Sequence, residues 1–393
     1  MSVEAVISTQ VIDTTSVGRS VMTAADAAAV RTAADAQVTL VSGTNIKTVN
    51  STSLLGSGDI AVGVSGTGAV DNAALRADGT GGATLQSSAF VIADNGTASP
   101  NNTVNHASIQ ATGGTTNVSV SIVPKGTGSF SLRVPDGTAT GGNVRGANAV
   151  DLQTSRALAT QVASGQYSIV GGFSSTSSAR CTVAFGYECV ASGSDSVSIG
   201  MRNTTSGVNS TAIGRNCSAS AEFAVALGGY NSASSSNTLA TGLYSSAVIW
   251  GMMAHAAGAF SVVGDAQRIA FVLRRKTTDA TATTLMLDGS GTRLTITSGK
   301  VMSVMCRICG IKSDGSAVAN YVRRVVIKKV GGTTSLVGAV ETIGTDIEDN
   351  ALTDVAITAD DTNDALQINV TGIAAETWRW VAVVEGLEIA YGT

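Results

Sequence analysis

The stretch "NSTAIGRNCSASAEFAVALGGYNSASSS" (Asn209–Ser236) repeats its own pattern after fourteen residues. In each half an Ala-Ile or Ala-Leu pair precedes a glycine, and a run of small residues follows it. The same spacing continues on both sides, with one interval of fifteen residues and four of fourteen. The repeat glycines are Gly171, Gly186, Gly200, Gly214, Gly228 and Gly242.

The residues before each glycine alternate between apolar and small side chains, as in "TVAFG", "SVSIG" and "AVALG". Alternation with a period of two indicates a short β-strand with one buried face. A second short segment follows each glycine, so one repeat holds two strands and two turns, which is one coil of a β-solenoid. Glycine recurs where the chain turns sharply or where another backbone comes close. Residues 165–264 are therefore predicted to form a roll of about six stacked coils.

The composition favours an elongated molecule over a globular enzyme. Charged residues make up 13% and aromatic residues 4% of the 393 residues, and 45 are glycine. Such small side chains cannot fill a thick core, so burial between copies of the chain is expected to supplement it. The net charge of -4 argues against a nucleic-acid partner.

One long apolar stretch, "LATGLYSSAVIWGMMAHAAGAFSVVG" (239–264), has the length of a membrane span. It contains several Ser and Gly residues and a histidine, and its first part continues the glycine spacing. A buried interior is therefore predicted here, with no membrane insertion.

Residues 265–393 have the charge balance of an ordinary domain and several alternating runs, such as "YVRRVVIKKV" and "TWRWVAVVEGLEIA". Strands at this spacing predict a β-sandwich. Trp378 and Trp380 lie on one face of the last strand and are candidates either for stacking on a sugar or for core packing. Ala382 and Val384 continue that face, which favours the core.

Catalytic, cofactor and metal sites are not predicted. No nucleophile elbow, zinc-protease helix or phosphate loop occurs in the sequence. His106 and His255 are far apart, and Cys306 and Cys309 have no second pair or nearby histidine to complete a zinc site. The odd number of cysteines fits synthesis in a reducing cytoplasm.

The fourteen-residue repeats resemble the head repeats of trimeric autotransporter adhesins, which also occur inside bacteriophage fibres. That resemblance implies a left-handed parallel β-roll and a homotrimer. The flanks resemble bacteriophage tail-fibre sequence: residues 16–37, 45–60, 71–92 and 122–156, in order, and then the C-terminal module. In the first of these, a short helix is expected to begin after Thr23, with Asp26 as its capping-box partner. A secretion signal and a membrane anchor are not recognisable, so a phage fibre is expected in preference to a cell-surface adhesin.

The expected architecture is therefore an all-β, elongated, trimeric fibre in four parts. Residues 1–44 form an N-terminal helical segment that attaches to tail or baseplate proteins of the virion, 45–164 a β-rich shaft, 165–264 the parallel roll, and 265–393 the β-sandwich tip. The expected function is non-enzymatic: recognition of a host cell-surface glycan or protein and adhesion to it, mainly through the tip. The alternatives are a tailspike-like polysaccharide depolymerase and a purely structural decoration of the virion. The candidate receptor contacts are Tyr230, Tyr244, Trp378 and Trp380, with Phe173 expected to share a column with the two tyrosines.

Overall fold

The computed structural model describes residues 25, 26, 28 and 29, three strands between residues 73 and 111, and residues 121–391. The chain divides into two compact units, Met1–Ile122 and Val123–Thr393. The predicted module at 45–60 and His106 lie outside the described residues.

In the first unit, Asp26 begins the short helix. Its carboxylate accepts hydrogen bonds from the backbone N–H groups of Ala28 and Ala29, at 2.9 and 2.8 Å. Residues 25 and 26 form a bend and residues 28 and 29 are helical. A side chain that accepts from the second and third residues after it is an N-cap. The prediction that Thr23 opens this helix was therefore wrong by three residues, because Asp26 is itself the cap.

The first unit also contains an antiparallel three-stranded sheet. Its strands are β1 (Ala73–Ala77), β2 (Leu85–Ala93) and β3 (Ser108–Ala111), in that order across the sheet. Strand β1 and all but the last residue of β2 lie within the predicted shaft module at 71–92.

The second unit begins with a parallel β-solenoid, which confirms the predicted all-β class. Its strands, in chain order, are β4 (Phe130–Ser131), β5 (Val150–Asp151), β6 (Ile169–Phe173), β7 (Thr176–Ser177), β8 (Val183–Tyr187), β9 (Val190–Ala191), β10 (Val197–Met201), β11 (Thr204–Thr205), β12 (Thr211–Arg215), β13 (Ser218–Ala219), β14 (Val225–Gly229), β15 (Ser232–Ala233), β16 (Leu239–Leu243), β17 (Ser246–Ala247) and β18 (Met253–Ala257). From β6 onward a five-residue strand alternates with a two-residue strand. The longer strands stack in one sheet and the shorter ones in another.

The glycine column differs by one residue from the predicted one. Strand β6 pairs with β8 so that Gly172, not Gly171, lies beside Gly186, and every interval is fourteen residues. Gly171 instead lies beside Phe185, and a Cβ on it would come within 2.4 Å of the Phe185 ring. The sequence has two adjacent glycines here, and the register of the stack selects the second.

Only glycine fits this column, because the next coil occupies the space of a side chain. From Gly172 to Gly242 the φ angles lie between +90° and +127°, a region that side chains disfavour. A Cβ on Gly214 would lie 1.9 Å from the carbonyl oxygen of Gly228. The repeat is therefore set by close approach of one backbone to the next.

Those inward glycine carbonyls accept hydrogen bonds from a column of buried polar side chains three residues after each glycine. Each hydrogen bond runs from the side chain to the carbonyl oxygen of the glycine in the next coil. The five bonds are Ser175 Oγ to Gly186 (3.1 Å), Cys189 Sγ to Gly200 (3.3 Å), Asn203 Nδ2 to Gly214 (2.8 Å), Cys217 Sγ to Gly228 (3.3 Å) and Asn231 Nδ2 to Gly242 (2.9 Å). We call these five side chains the donor column. Burial raises the pKa of the Cys217 thiol, so that it keeps the proton it donates.

Apart from the donor column, small residues dominate the solenoid interior, and they are closed off within a single chain. Ala184, Ala212, Ala226 and Ala240 all have 0% of their surface exposed. The longer strands thus bury their small residues, while their larger apolar residues point outward. This distribution differs from the expectation that a second chain is needed to complete the core.

The sandwich continues the solenoid without a break in the sheet. Its strands are β19 (Ala266–Thr277), β20 (Thr283–Thr284), β21 (Leu294–Thr295), β22 (Lys300–Lys312), β23 (Val318–Val330), β24 (Thr333–Leu336), β25 (Glu341–Thr342), β26 (Ile347–Glu348), β27 (Asp354–Asp360), β28 (Ala365–Thr371) and β29 (Trp378–Ala390). Strand β18 is parallel to β16 on one side and antiparallel to β19 on the other. One sixteen-stranded sheet therefore runs through both parts. A second sheet, of β20, β21, β27 and β28, shares its hydrophobic core, and that core extends back to Ala212.

Glutamine side chains close both ends of the six-stranded sheet formed by the shorter strands. At one end the Gln153 amide accepts from the Ser175 N–H (2.8 Å) and donates to the Ser175 carbonyl (3.1 Å). At the other end Gln267 makes the same two bonds to Ser246, both at 2.8 Å. Each amide bonds as one residue of a neighbouring strand would, and at the first end residues 162–164 also pair with Ser177. These contacts disfavour pairing of the edges with another sheet.

We expect Gly214→Ala to destabilise the fold by at least about 3 kcal/mol, because it combines an unfavourable φ with a clash against backbone. The matched control is Gly229→Ala, one coil further on, where φ is ordinary and only the end of the Leu243 side chain is near. We expect a change below about 1 kcal/mol there. Equal melting temperatures for the two variants would contradict the glycine column.

We expect Cys217→Ser to be tolerated, because a hydroxyl already fills the donor column at Ser175. Cys217→Ala removes the donor to the Gly228 carbonyl and leaves a small cavity, with an expected cost of about 1–2 kcal/mol. Chemical denaturation of the two variants measures the difference. If both lose the same stability, the thiol contributes packing alone.

Candidate functional site: aromatic and arginine side chains on the solenoid

Two columns of side chains follow the glycine column, at the corner where each longer strand ends. The first corner column consists of Phe173, Tyr187, Met201, Arg215, Gly229 and Leu243. The second corner column consists of Ser174, Glu188, Arg202, Asn216, Tyr230 and Tyr244. Its members have φ angles between 52° and 65°. The two backbone positions are fixed by the stack, whereas the side chains at them differ from coil to coil.

Aromatic rings stack along each column. Phe173 and Tyr187 have ring centroids 5.4 Å apart with an interplanar angle of 17°. Tyr230 and Tyr244 are 4.9 Å apart at 18°. The coil repeat of about 4.8 Å places equivalent rings at stacking distance without further adjustment. Two separate aromatic platforms result.

An arginine lies over one ring of each platform. The guanidinium carbon of Arg202 is 5.6 Å from the centroid of Tyr187, and that of Arg215 is 5.5 Å from the centroid of Tyr230. Both distances are in the range of cation–π contacts. Each platform therefore joins an aromatic surface to a positive charge.

The two arginines differ in their charge partners. Arg202 Nε donates to Glu188 Oε2 at 2.7 Å, and this hydrogen bond holds the pKa of Glu188 below its usual value. Arg215 is exposed and has no ion-pair partner among residues 121–391. The Phe173–Tyr187 platform is thus neutralised, and the Tyr230–Tyr244 platform keeps a net positive charge.

The predicted contact residues separate into two groups. Tyr230 and Tyr244 lie together on the surface, half-buried. Trp378 and Trp380 are 0% and 1% exposed, and their indole nitrogens donate to Glu376 and to Thr277. The tryptophans thus pack in the core of the sandwich, as the apolar face of their strand indicated.

Phe173 does not share a column with the two tyrosines, and that prediction was wrong. The prediction took Gly171 instead of Gly172 as the repeat glycine, and this placed Phe173 one residue out of register. Sequence reasoning also missed Arg202 and Arg215, although the fourteen-residue spacing of Glu188 and Arg202 is a signal of coil-to-coil pairing.

Other reactive side chains in the described residues are held by structural contacts. His255 Nδ1 shares a hydrogen bond with Thr241 Oγ1 at 3.0 Å. All five cysteines are free, and burial raises the pKa of Cys306 to about 12. Among the described residues no cluster of three His, Cys, Asp or Glu side chains is suited to a metal ion, and no helix is long and apolar enough to cross a membrane. The apolar stretch at 239–264 forms β16, β17, β18 and the loop after them.

No protein-family model and no curated protein matches the chain. Two solved structures with partial likeness are tailspike proteins. That of Acinetobacter phage vB_ApiP_P1 is 12% identical, with a TM-score of 0.20 over 62% of this chain and 50% of that one. The tailspike protein gp49 of Acinetobacter baumannii bacteriophage Fri1, a capsular polysaccharide depolymerase, is 10% identical, with a TM-score of 0.18 over 66% and 52%. The chain spans about half the length of these two structures. Likeness at this level assigns no function to the chain.

Proposed function

We propose that the chain is a non-enzymatic structural fibre of a bacteriophage virion, a tail fibre that recognises the host cell and adheres to it. The observation that supports this most directly is the sixteen-stranded sheet that joins a parallel solenoid to a β-sandwich. Such a framework holds exterior side chains at fixed spacing along one direction while leaving their identity free. That combination suits a surface that binds a repetitive receptor.

We propose that the fibre is a homotrimer in which the outer faces of the longer strands pack together. These faces are largely apolar and partly exposed in the single chain, with Ile199 and Ile213 at 38% and 42% exposure. Their polar members are Thr211, Thr241 and His255. The face also includes Ile169, Val183, Phe185, Val197, Val225, Leu227, Leu239 and Met253. The shorter strands are flanked instead by exposed serines at 178, 192, 206, 220 and 234. This contrast favours one face for contact between copies and the other for water.

We propose the Tyr230–Tyr244 platform, rather than the sandwich, as the receptor contact. Tyr230 and Tyr244 offer exposed ring surface, whereas the two tryptophans in the sandwich offer none. Attachment to tail or baseplate proteins is assigned to residues 1–44, as the sequence resemblance implies. The receptor is a host cell-surface glycan or protein.

The depolymerase alternative requires carboxyl groups free to act as acid and base or nucleophile. On the solenoid, Glu188 is paired with Arg202 and Asp195 with Arg180, at 2.7 and 2.8 Å. The hydrogen bond from Arg202 lowers the pKa of Glu188, whereas a general acid needs a raised pKa. Glu222, the third acid of residues 165–264, is exposed and has no ion-pair partner among the described residues. This part of the solenoid thus offers one free carboxylate where cleavage needs two, which favours adhesion.

We expect Ile213→Glu to convert the trimer into monomers, because it introduces a charge into an apolar interface. The control, Thr204→Glu, lies on the serine face and should remain trimeric. Sedimentation and native mass measurement report the oligomer, and circular dichroism shows that each monomer stays folded. A monomeric native chain, or an unchanged trimer of the Ile213 variant, would contradict the proposed interface.

We expect the labelled full-length chain to bind cells in a panel of bacterial strains, and the double variant Tyr230→Ala/Tyr244→Ala to bind about tenfold more weakly or worse. The matched control is Tyr167→Ala/Phe223→Ala, which removes exposed aromatic residues from the opposite corner. Shortened surface polysaccharide after incubation would indicate an enzyme instead. Absence of cell binding by the native chain would favour pure decoration.

A further inference from the structure

We infer that Arg215, Tyr230 and Tyr244 form a binding site for a glycan that bears a carboxylate group. This inference rests on the proposed adhesive function and adds the chemical class of the ligand. It follows from the difference between two otherwise similar platforms on the same surface.

Arg215 differs from the other arginines of the solenoid repeats in its charge partners. Residues 165–264 contain three arginines and three acids. Arg180 is paired with Asp195 and Arg202 with Glu188. Arg215 is the one basic side chain of this segment without a carboxylate partner among the described residues. In a chain with a net charge of -4, it is an isolated cation and not part of a general basic surface.

The Arg215 guanidinium lies over the stacked tyrosine rings. The Arg215 guanidinium stands 5.5 Å from the centroid of Tyr230, and Tyr230 in turn stacks on Tyr244 at 4.9 Å. The backbone of both tyrosines is held in the coil stack, since their N–H groups donate to the carbonyls of Arg215 and Gly229, at 2.8 and 2.9 Å. A guanidinium held over a ring keeps its in-plane N–H donors free for an acceptor. The cation is therefore held in place and its donors remain available.

The chemical groups of this site match those of an acidic sugar. The paired N–H donors of a guanidinium match the two oxygens of a carboxylate, and bidentate pairs of this kind are strong and directional. Neighbouring phenol rings offer an apolar surface with a hydroxyl at the edge, which suits the mixed faces of a sugar ring. An acidic sugar, whose carboxylate is attached to its ring, satisfies both requirements at once.

The second platform provides an internal comparison. Arg202 stands over Tyr187 at 5.6 Å, almost the same distance, but Glu188 occupies its donors at 2.7 Å. A protein carboxylate thus already takes the place that the glycan carboxylate takes at Arg215. Removing that carboxylate should create a second acidic-glycan site.

The test uses the full chain and an array of immobilised glycans. The acidic members are polysialate, hyaluronan, alginate and polygalacturonate, and the neutral members are dextran, mannan and galactan. We expect binding to at least one acidic glycan that exceeds binding to every neutral one and weakens as salt is added. Arg215→Gln should reduce it about tenfold or more, whereas Arg202→Gln should leave it unchanged. Glu188→Gln should increase it, because Arg202 is then released.

Preference for neutral glycans, acidic binding that survives Arg215→Gln, or binding to no glycan in the array would each overturn the inference. The proposed function is tested separately by adhesion to bacterial cells. If the native chain adheres to cells but does not distinguish acidic from neutral glycans, the fibre function stands and the ligand class is wrong. If it neither adheres nor binds glycans, both are wrong.

Discussion

The solenoid depends on the fit between each glycine and the carbonyl oxygen of the next coil. That oxygen lies where a Cβ would be, about 2 Å from its ideal position at Gly214. It also accepts a hydrogen bond from the donor column, whose five members are Ser, Cys or Asn. A side chain at the glycine would displace the oxygen, and an apolar residue in the donor column would leave it with one hydrogen bond fewer. Both requirements repeat every fourteen residues, and together they account for the period.

Exterior positions are free from these requirements. The first corner column contains Phe, Tyr, Met, Arg, Gly and Leu at equivalent backbone sites. Because the interior determines the stack, the exterior can acquire rings, charges or ion pairs without altering the coil. The contrast between Arg202, which is paired, and Arg215, which is not, is an example of that freedom. The same separation lets one flank remain apolar for contact between copies while the other displays serines.

Sequence reasoning identified the solenoid because glycine is the residue that its backbone requires. It failed at "YSIVGGF", where two adjacent glycines satisfy the local pattern and only pairing with Gly186 selects Gly172.

The composition change near Asp265 hid the continuity of the sheet. In the structure the Asp265 carboxylate accepts hydrogen bonds from three backbone N–H groups of the loop at 260–262. Directly after this loop, β19 pairs with β18. The alternation around Trp378 and Trp380 indicated a buried face correctly, but alternation cannot show which aromatic residues bind a ligand. The candidate site needed three-dimensional distances, since its members are fourteen or more residues apart.

Solenoid and sandwich form one framework, with a shared sheet and a shared core that runs from Ala212 to Val384. Hydrogen exchange of the full chain in increasing denaturant tests it most directly, because it measures the opening free energy of each strand separately. We predict that amides of β12 to β18 and of β19, β22 and β29 converge on one common opening free energy. Solenoid amides that open at a distinctly lower free energy, while the sandwich remains protected, would contradict it.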